Sequence, residues 1–254
     1  AGVPSLIRTN SKGFSLSMVL WSISKHSEKG NELDSVRIAL ITIGQTPRED
    51  VLSEIRPLIL PHIDIMEAGL LDDLDEEKIS RLKPKKEEMA LVSRLKDGSQ
   101  ILLGEYKIRS MLSQSIRALI SKREIDAAGI LCTHDFPATK FPVPVIFPAA
   151  YLKFIIYQVM RIETLGVVVP LKSQMDWPKK KWSGKKVEWE AKSPYDQGKT
   201  WHKIAQTFNQ KKTEAIILDC IGYSIKDKME LKKHFDRPVL VPRIVLAQAI
   251  NCLF

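Results

Sequence analysis

Cysteine is scarce in this 254-residue chain, which has three copies, one of them (Cys252) two residues from the C-terminus. Three thiols so placed make no disulfide framework, and reduced cysteines in a cytoplasmic setting follow. Long apolar runs are also missing. The longest uncharged stretch in the body, Phe141 to Leu152, carries three prolines and falls short of the roughly 20 residues that span a bilayer. No membrane segment or membrane partner is expected. The strong motifs are absent as well: no Gly-rich dinucleotide fingerprint, P-loop, Cys-x-x-Cys, His-Glu-x-x-His or nucleophile elbow occurs. Cys132, His134 and Asp135 could ligate a metal, but no second cluster joins them. Neither a metal nor another cofactor is expected.

Negative charge is the minority, with 30 Asp and Glu against 39 Lys and Arg for a net charge of +9. The lysines fall in separate groups, at 83, 85 and 86, at 179 to 181 with 185 and 186, at 211 and 212, and at 232 and 233. Most of these have acidic or turn-forming neighbours and none forms a binding module. The pattern reads as solvated surface rather than a nucleic-acid groove.

Residues 1 to 35 carry Arg8, Lys12 and Lys25 before the first acid, Glu28, and are rich in Ser. That composition fits either an organelle transit peptide or a non-native extension, expected to be poorly ordered and set apart from the fold.

What remains can bury a sizeable core, with 44% of residues apolar. Val36 to Ile43 reads as a strand buried on both faces, followed by Gly44-Gln45-Thr46 and a helix starting at Pro47, with Thr46 as its cap. His62 to Glu67 is a second strand and Asp72 to Leu82 a short helix. Ala90 to Leu95 and Gln100 to Leu103 form a hairpin turning on Asp97-Gly98. A helix over 105–122, strands at 126–132 and 143–147, and a helix from Pro148 to about Glu163 complete the first half. The second half repeats the theme with strands at 165–169, 185–191, 215–220 and 238–241 and helices at 197–209 and 243–253. The fold class is α/β, with two pseudo-duplicated lobes, 36–162 and 163–254, and parallel-type sheets.

Cys132 and Cys220 each end an apolar strand, the edge where parallel sheets bind ligands. Taken singly, each thiol is better explained by core packing than by catalysis. Together they suit chemistry that removes a proton on one face of a carbon and returns one on the other. His134, two residues beyond Cys132, could hold a thiolate or be a loop histidine. Asp219 precedes Cys220 on the opposite face, where alternation assigns it to loop positioning. Gly44, Gln45, Thr46 and Arg48 offer backbone and side-chain donors for an anion, or an ordinary helix start. Arg243 at the start of the last helix, and Ser193 and Tyr195 after the 185–191 strand, add further donors.

The segments Ile41 to Arg48, Glu67 to Asp72, Leu91 to Gly98, Leu131 to Pro137, Ser193 to Tyr195 and Leu218 to Tyr223 resemble the AroM family in order, from Val36 to the C-terminus. That family looks like a distant branch of the aspartate/glutamate racemase superfamily, whose two lobes each bring a thiol to a cofactor-free ligand site between them. Superfamily members include racemases, a decarboxylase and a maleate isomerase. The resemblance implies that Cys132 and Cys220 are the acid/base pair and that the Gly44 to Arg48 loop anchors the substrate. Thr133, Ser193, Tyr195, Gly222, Tyr223 and Arg243 complete the implied substrate contacts. His134 stands where a small residue is usual, and Thr133-His134 and Ile221-Gly222 replace the racemases' residues after the cysteines. The expectation is a cytoplasmic, cofactor-independent enzyme for a small carboxylate or similar anion, with room for a homodimer. A non-catalytic small-anion sensor is the alternative.

Overall fold

The central strands of two sheets are written as uninterrupted apolar runs, which is what a strand covered on both faces requires. The computed structural model describes residues 35–175, 181–195 and 200–254. The extension expected over 1–35 therefore lies outside the described residues, Ser35 excepted, as does the start expected at Gln197 for the 197–209 helix.

The first sheet has the order β2-β1-β5-β6, from β1 (Val36–Thr42), β2 (Ile63–Gly69), β5 (Ala127–Leu131) and β6 (Val145–Ile146), all parallel. The second has the order β10-β9-β7-β8, from β7 (Thr164–Val169), β8 (Lys186–Ala191), β9 (Ala215–Leu218) and β10 (Val239–Leu240), again parallel. Exchanging β1, β2, β5 and β6 for β7, β8, β9 and β10 turns one order into the other, so the pseudo-duplication is real at the level of topology. Every residue of β5 and β9 is buried, whereas edge strand β8 alternates charged and apolar residues. The antiparallel hairpin of β3 (Ala90–Arg94) and β4 (Gln100–Gly104) interrupts the first half, as its turn sequence predicts.

Side-chain alternation sorts the core. From β1, Ala39 and Ile41 pack with Ile108, Leu112 and Ile116 of α3 (Glu105–Ser121). Ile38 and Leu40 face the other way, onto Val51, Leu52 and Ile55 of α1 (Glu49–Ile55). They also meet Leu246, Ala247 and Ile250 of α7 (Pro242–Asn251), the last helix of the chain. In the second sheet, Val168, Ile216 and Leu218 pack on Ile204 and Phe208 of α5 (Trp201–Gln210). Leu165, Val167 and Ile217 pack on Leu152 of α4 (Pro148–Phe154) and Ile156 beyond it. Each half thus lends one helix to the other's sheet.

Several local expectations are corrected. The helix after β1 starts at Glu49 with no side-chain cap; Pro47 follows a cis bond, and the Thr46 hydroxyl goes to Asp72 instead. Pro57 ends it in a 3-10 turn, Arg56–Leu58. The 72–82 helix shrinks to α2 (Glu76–Ser80), capped by Asp75. Beyond Phe154 the helix from Pro148 widens into a π-helical turn, Ile155–Met160, and stops at Arg161 in the left-handed region (φ 53°). A helix missing from the element order read above, α6 (Ile225–Lys232), follows the second thiol, started by a capping box between Ser224 and Asp227.

Candidate functional site

Strands β5 and β9 occupy equivalent places in the two sheets, and each hands a thiol to the same opening. Cys132 follows β5 directly and Cys220 lies two residues past β9; both are buried and line one cavity of about 300 Å³. Each sulfur accepts a backbone N–H from two residues on, His134 N to Cys132 Sγ and Gly222 N to Cys220 Sγ, both at 3.4 Å. Burial pushes the Cys132 thiol up to about 12, against the pull of that N–H. It pushes Cys220 up to about 11, opposed by its own N–H and by the positive charges of Arg48 and Arg243. Both are neutral thiols near pH 7, and Cys220 is the more readily ionised.

The polar part of the cavity centres on Lys181 and Asp219, which the sequence reading leaves out of the site, joined to the expected contact Thr133. Lys181 Nζ donates to Asp219 Oδ1 at 2.7 Å, to Asp219 Oδ2 at 2.9 Å and to the Thr133 carbonyl at 2.7 Å. The Thr133 hydroxyl donates to the Asp219 carbonyl at 3.1 Å, tying the two thiol loops together. Asp219 was assigned to loop positioning and Lys181 to a solvated cluster, yet their side chains are 5% and 8% exposed. The fully buried Trp182 beside Lys181 was the available hint.

The Gly44 to Arg48 loop does not line the cavity. A Cβ on Gly44 would lie 2.3 Å from the Arg94 carbonyl, so close passage of the hairpin demands glycine. The Gln45 amide donates to Leu71 O and accepts from Lys96 N, and Thr46 binds the Asp72 carboxylate through both N and Oγ1. Arg48 is 1% exposed. Its guanidinium donates to both Asp50 oxygens (2.9 and 3.0 Å), to Thr42 Oγ1 (3.0 Å) and to Tyr195 OH (3.1 Å). Burial would lower Arg48, but its bonds to Asp50 and the nearby Tyr195 raise it above the ordinary arginine value. Burial would likewise raise Asp50, which Arg48 holds below the usual carboxylate range with help from Arg94 and Arg243.

Of the remaining predicted contacts, Tyr195, Gly222, Tyr223 and Arg243 gather around Cys220 and its loop rather than in the cavity. Arg243 donates to the carbonyls of Ile221 (2.8 Å), Gly222 (2.7 Å) and Asp50 (2.7 Å) and to Glu54 Oε2 (2.8 Å), bridging the second thiol loop and α1. A Cβ on Gly222 would meet Tyr195 OH at 2.6 Å. Buried Tyr223 donates to the Lys192 carbonyl, and Ser193 Oγ to Gln100 Oε1 at 2.8 Å. His134 lines the cavity but reaches Cys132 only through its backbone; its ring nitrogen lies 3.6 Å from Glu105, and burial lowers its pKa against that carboxylate's pull. Among the described residues no cluster of three or more His, Cys, Asp or Glu could hold a metal, and no helix is long and apolar enough to cross a membrane. The structure thus brings Cys132, Thr133 and Cys220 together at the cavity, with Arg48, Tyr195, Gly222 and Arg243 as a network behind Cys220.

A family model described as AroM protein matches residues 38–254. No curated protein matches the sequence. Among solved structures, allantoin racemase from Pseudomonas fluorescens is similar with a TM-score of 0.59 at 12% identity, over 86% of this chain and 90% of that one. Glutamate racemase from Francisella tularensis, in complex with D-glutamate, gives 0.54 at 18% identity over 87% and 81%. Maleate isomerase from Pseudomonas putida gives 0.53 at 14% over 86% and 92%. At these identities the likeness is one of fold: the two-lobed architecture of the aspartate/glutamate racemases.

Proposed function

Given that the chain belongs to the AroM protein family, we propose that it is a cofactor-independent enzyme that moves a proton at a carbon of a small carboxylate, with Cys220 and Cys132 as the acid/base pair. One observation carries this reading: two thiols, delivered by equivalent strands of two pseudo-duplicated halves, line a single cavity. In the chemistry such a pair supports, the Cys220 thiolate takes a proton from the carbon next to the carboxylate, and the C–H electron pair moves into the carboxylate. The Cys132 thiol then delivers its proton to the opposite face of that carbon, leaving the two sulfurs with exchanged protonation. Arg48 and Arg243 favour the Cys220 thiolate through their charge and need not touch the ligand. Lys181 is the cationic side chain among the described lining residues that would position a carboxylate.

The test is solvent-deuterium incorporation at carbon, followed by NMR over a panel of small carboxylates. The expected result is exchange with the native chain, lost by at least about a hundredfold in Cys220→Ser and Cys132→Ser; exchange that survives both substitutions sinks the assignment. A second reading, a non-catalytic binder of a small anion, is favoured by the burial that keeps both thiols protonated. It predicts saturable binding with no exchange for any ligand.

A further inference from the structure

A cavity of about 300 Å³ is at the small end for ligand sites, and its walls differ sharply in character. The apolar lining includes Met89, Leu91 and Val92, brought in by the β3–β4 hairpin, whose Ala90 carbonyl accepts a 2.8 Å bond from Gln174 of the second half. The polar lining includes Cys132, Cys220 and the Lys181–Asp219 pair. Among the described lining residues Lys181 is the sole lysine or arginine, and its three N–H groups already reach three acceptors. Asp219 receives two bonds from Lys181 and, as a carboxylate with about four acceptor sites, keeps capacity for another donor. Asp135, also in the wall, is paired with Lys153. Such a lining carries no excess positive charge for a ligand with two carboxylates, and burying a charge without a partner is strongly unfavourable.

We propose that this site selects a zwitterion with an apolar substituent: an α-amino acid whose ammonium joins Asp219, whose carboxylate takes over one of the two Lys181 N–H groups now given to Asp219, and whose side chain lies against Met89, Leu91 and Val92. A ligand of that kind brings its own compensating charge and converts one ion pair into a ring of four alternating charges. The hairpin then acts as the specificity element. This rests on the proton-transfer reading for its reactive carbon, but the charge argument concerns binding alone.

Isothermal titration of the full chain with leucine (both enantiomers), 4-methylpentanoate, 3-methylbutylamine and D-glutamate separates the ideas. Leucine is expected to bind at least about tenfold more tightly than the fragment lacking its ammonium, the fragment lacking its carboxylate, or the dicarboxylate. Val92→Asp is expected to weaken leucine by about tenfold or more, the scale of a lost apolar contact in a specificity pocket. Asp219→Asn should reverse the order of leucine and 4-methylpentanoate by leaving Lys181 unneutralised. If that variant does not fold, the native panel and Val92→Asp still decide. Tighter binding of D-glutamate than leucine, equal binding of leucine and 4-methylpentanoate, or no binding of leucine overturns the proposal. Leucine binding with no deuterium exchange for leucine or any carboxylate of the panel would remove the proton-transfer reading and leave this one standing, whereas exchange confined to dicarboxylates would do the reverse.

Discussion

Cys220 is a buried neutral thiol beside two buried guanidinium groups, and that combination fixes how its chemistry should depend on pH. A general base works in its deprotonated form, so with a pKa near 11 the thiolate fraction grows about tenfold per pH unit below that value. The kcat/KM for exchange, which reports free-enzyme groups, is expected to climb log-linearly from pH 7 to 10. A plateau beginning near pH 7 would assign the base elsewhere. The same burial links pH to stability. Cys132 titrates near 12 when folded against an ordinary value of 9.0, so the folded state holds this proton longer than the unfolded state. Its contribution is complete below about pH 9 and declines as pH rises toward 12, with a loss on the order of 1 kcal/mol by pH 10. Cys132→Ala should flatten that part of the alkaline decline in urea midpoints, whatever its effect at pH 7. The cysteines were legible in sequence because a thiol ending an apolar strand is a local pattern. Lys181 and Asp219 were not, because only the chain's return path sets a surface-type lysine against that carboxylate.

At the scale of elements, strands announced themselves better than helices. β1, β5, β7 and β9 are continuous apolar runs, and β8 alternates, so periodicity alone found them. The helix α6 has one buried side chain, Leu231, and almost no apolar stripe to detect. Its start is written in Ser224 and Asp227, where Ser224 Oγ accepts from Asp227 N at 3.0 Å and the Asp227 carboxylate accepts from Ser224 N at 2.8 Å. A helix this short with so little packing depends on its cap. Ser224→Ala is expected to lower stability by about 1 kcal/mol, read as a shift in urea midpoint with an unchanged slope. A negligible shift would mean that packing around Trp201, whose Nε1 also donates to Asp227, holds the segment instead. The Gly44 to Arg48 loop shows the opposite limit. Its residues are donor-rich, as an anion pocket needs, yet Asp50 just downstream and Asp72 and Glu67 from other segments take those donors, and no local pattern encodes which distant acceptors fold back.

For the whole molecule, the exchange of helices between the halves decides how it unfolds. A chain division at 162/163 remains our proposal for the two lobes, but α4, before it, covers the second sheet, and α7, at the far end, covers the first. Removing residues 163–254 would expose the face of the first sheet where Ile38 and Leu40 meet Leu246 and Ile250, at about 1.5–3 kcal/mol per large apolar side chain. It would also remove Arg243, leaving Glu54 and the Asp50 carbonyl without their buried partner. Losses of that size consume most of the roughly 5–15 kcal/mol by which a domain is stable, so neither half should persist alone. Calorimetry of the full chain is therefore expected to show one cooperative transition with equal van't Hoff and calorimetric enthalpies. Separately produced 36–162 and 163–254 should lack native near-ultraviolet dichroism until mixed. Two resolved transitions, or a native-like spectrum from either half by itself, would show that the helix exchange is peripheral and that the lobes are independent bodies joined at the thiol cavity.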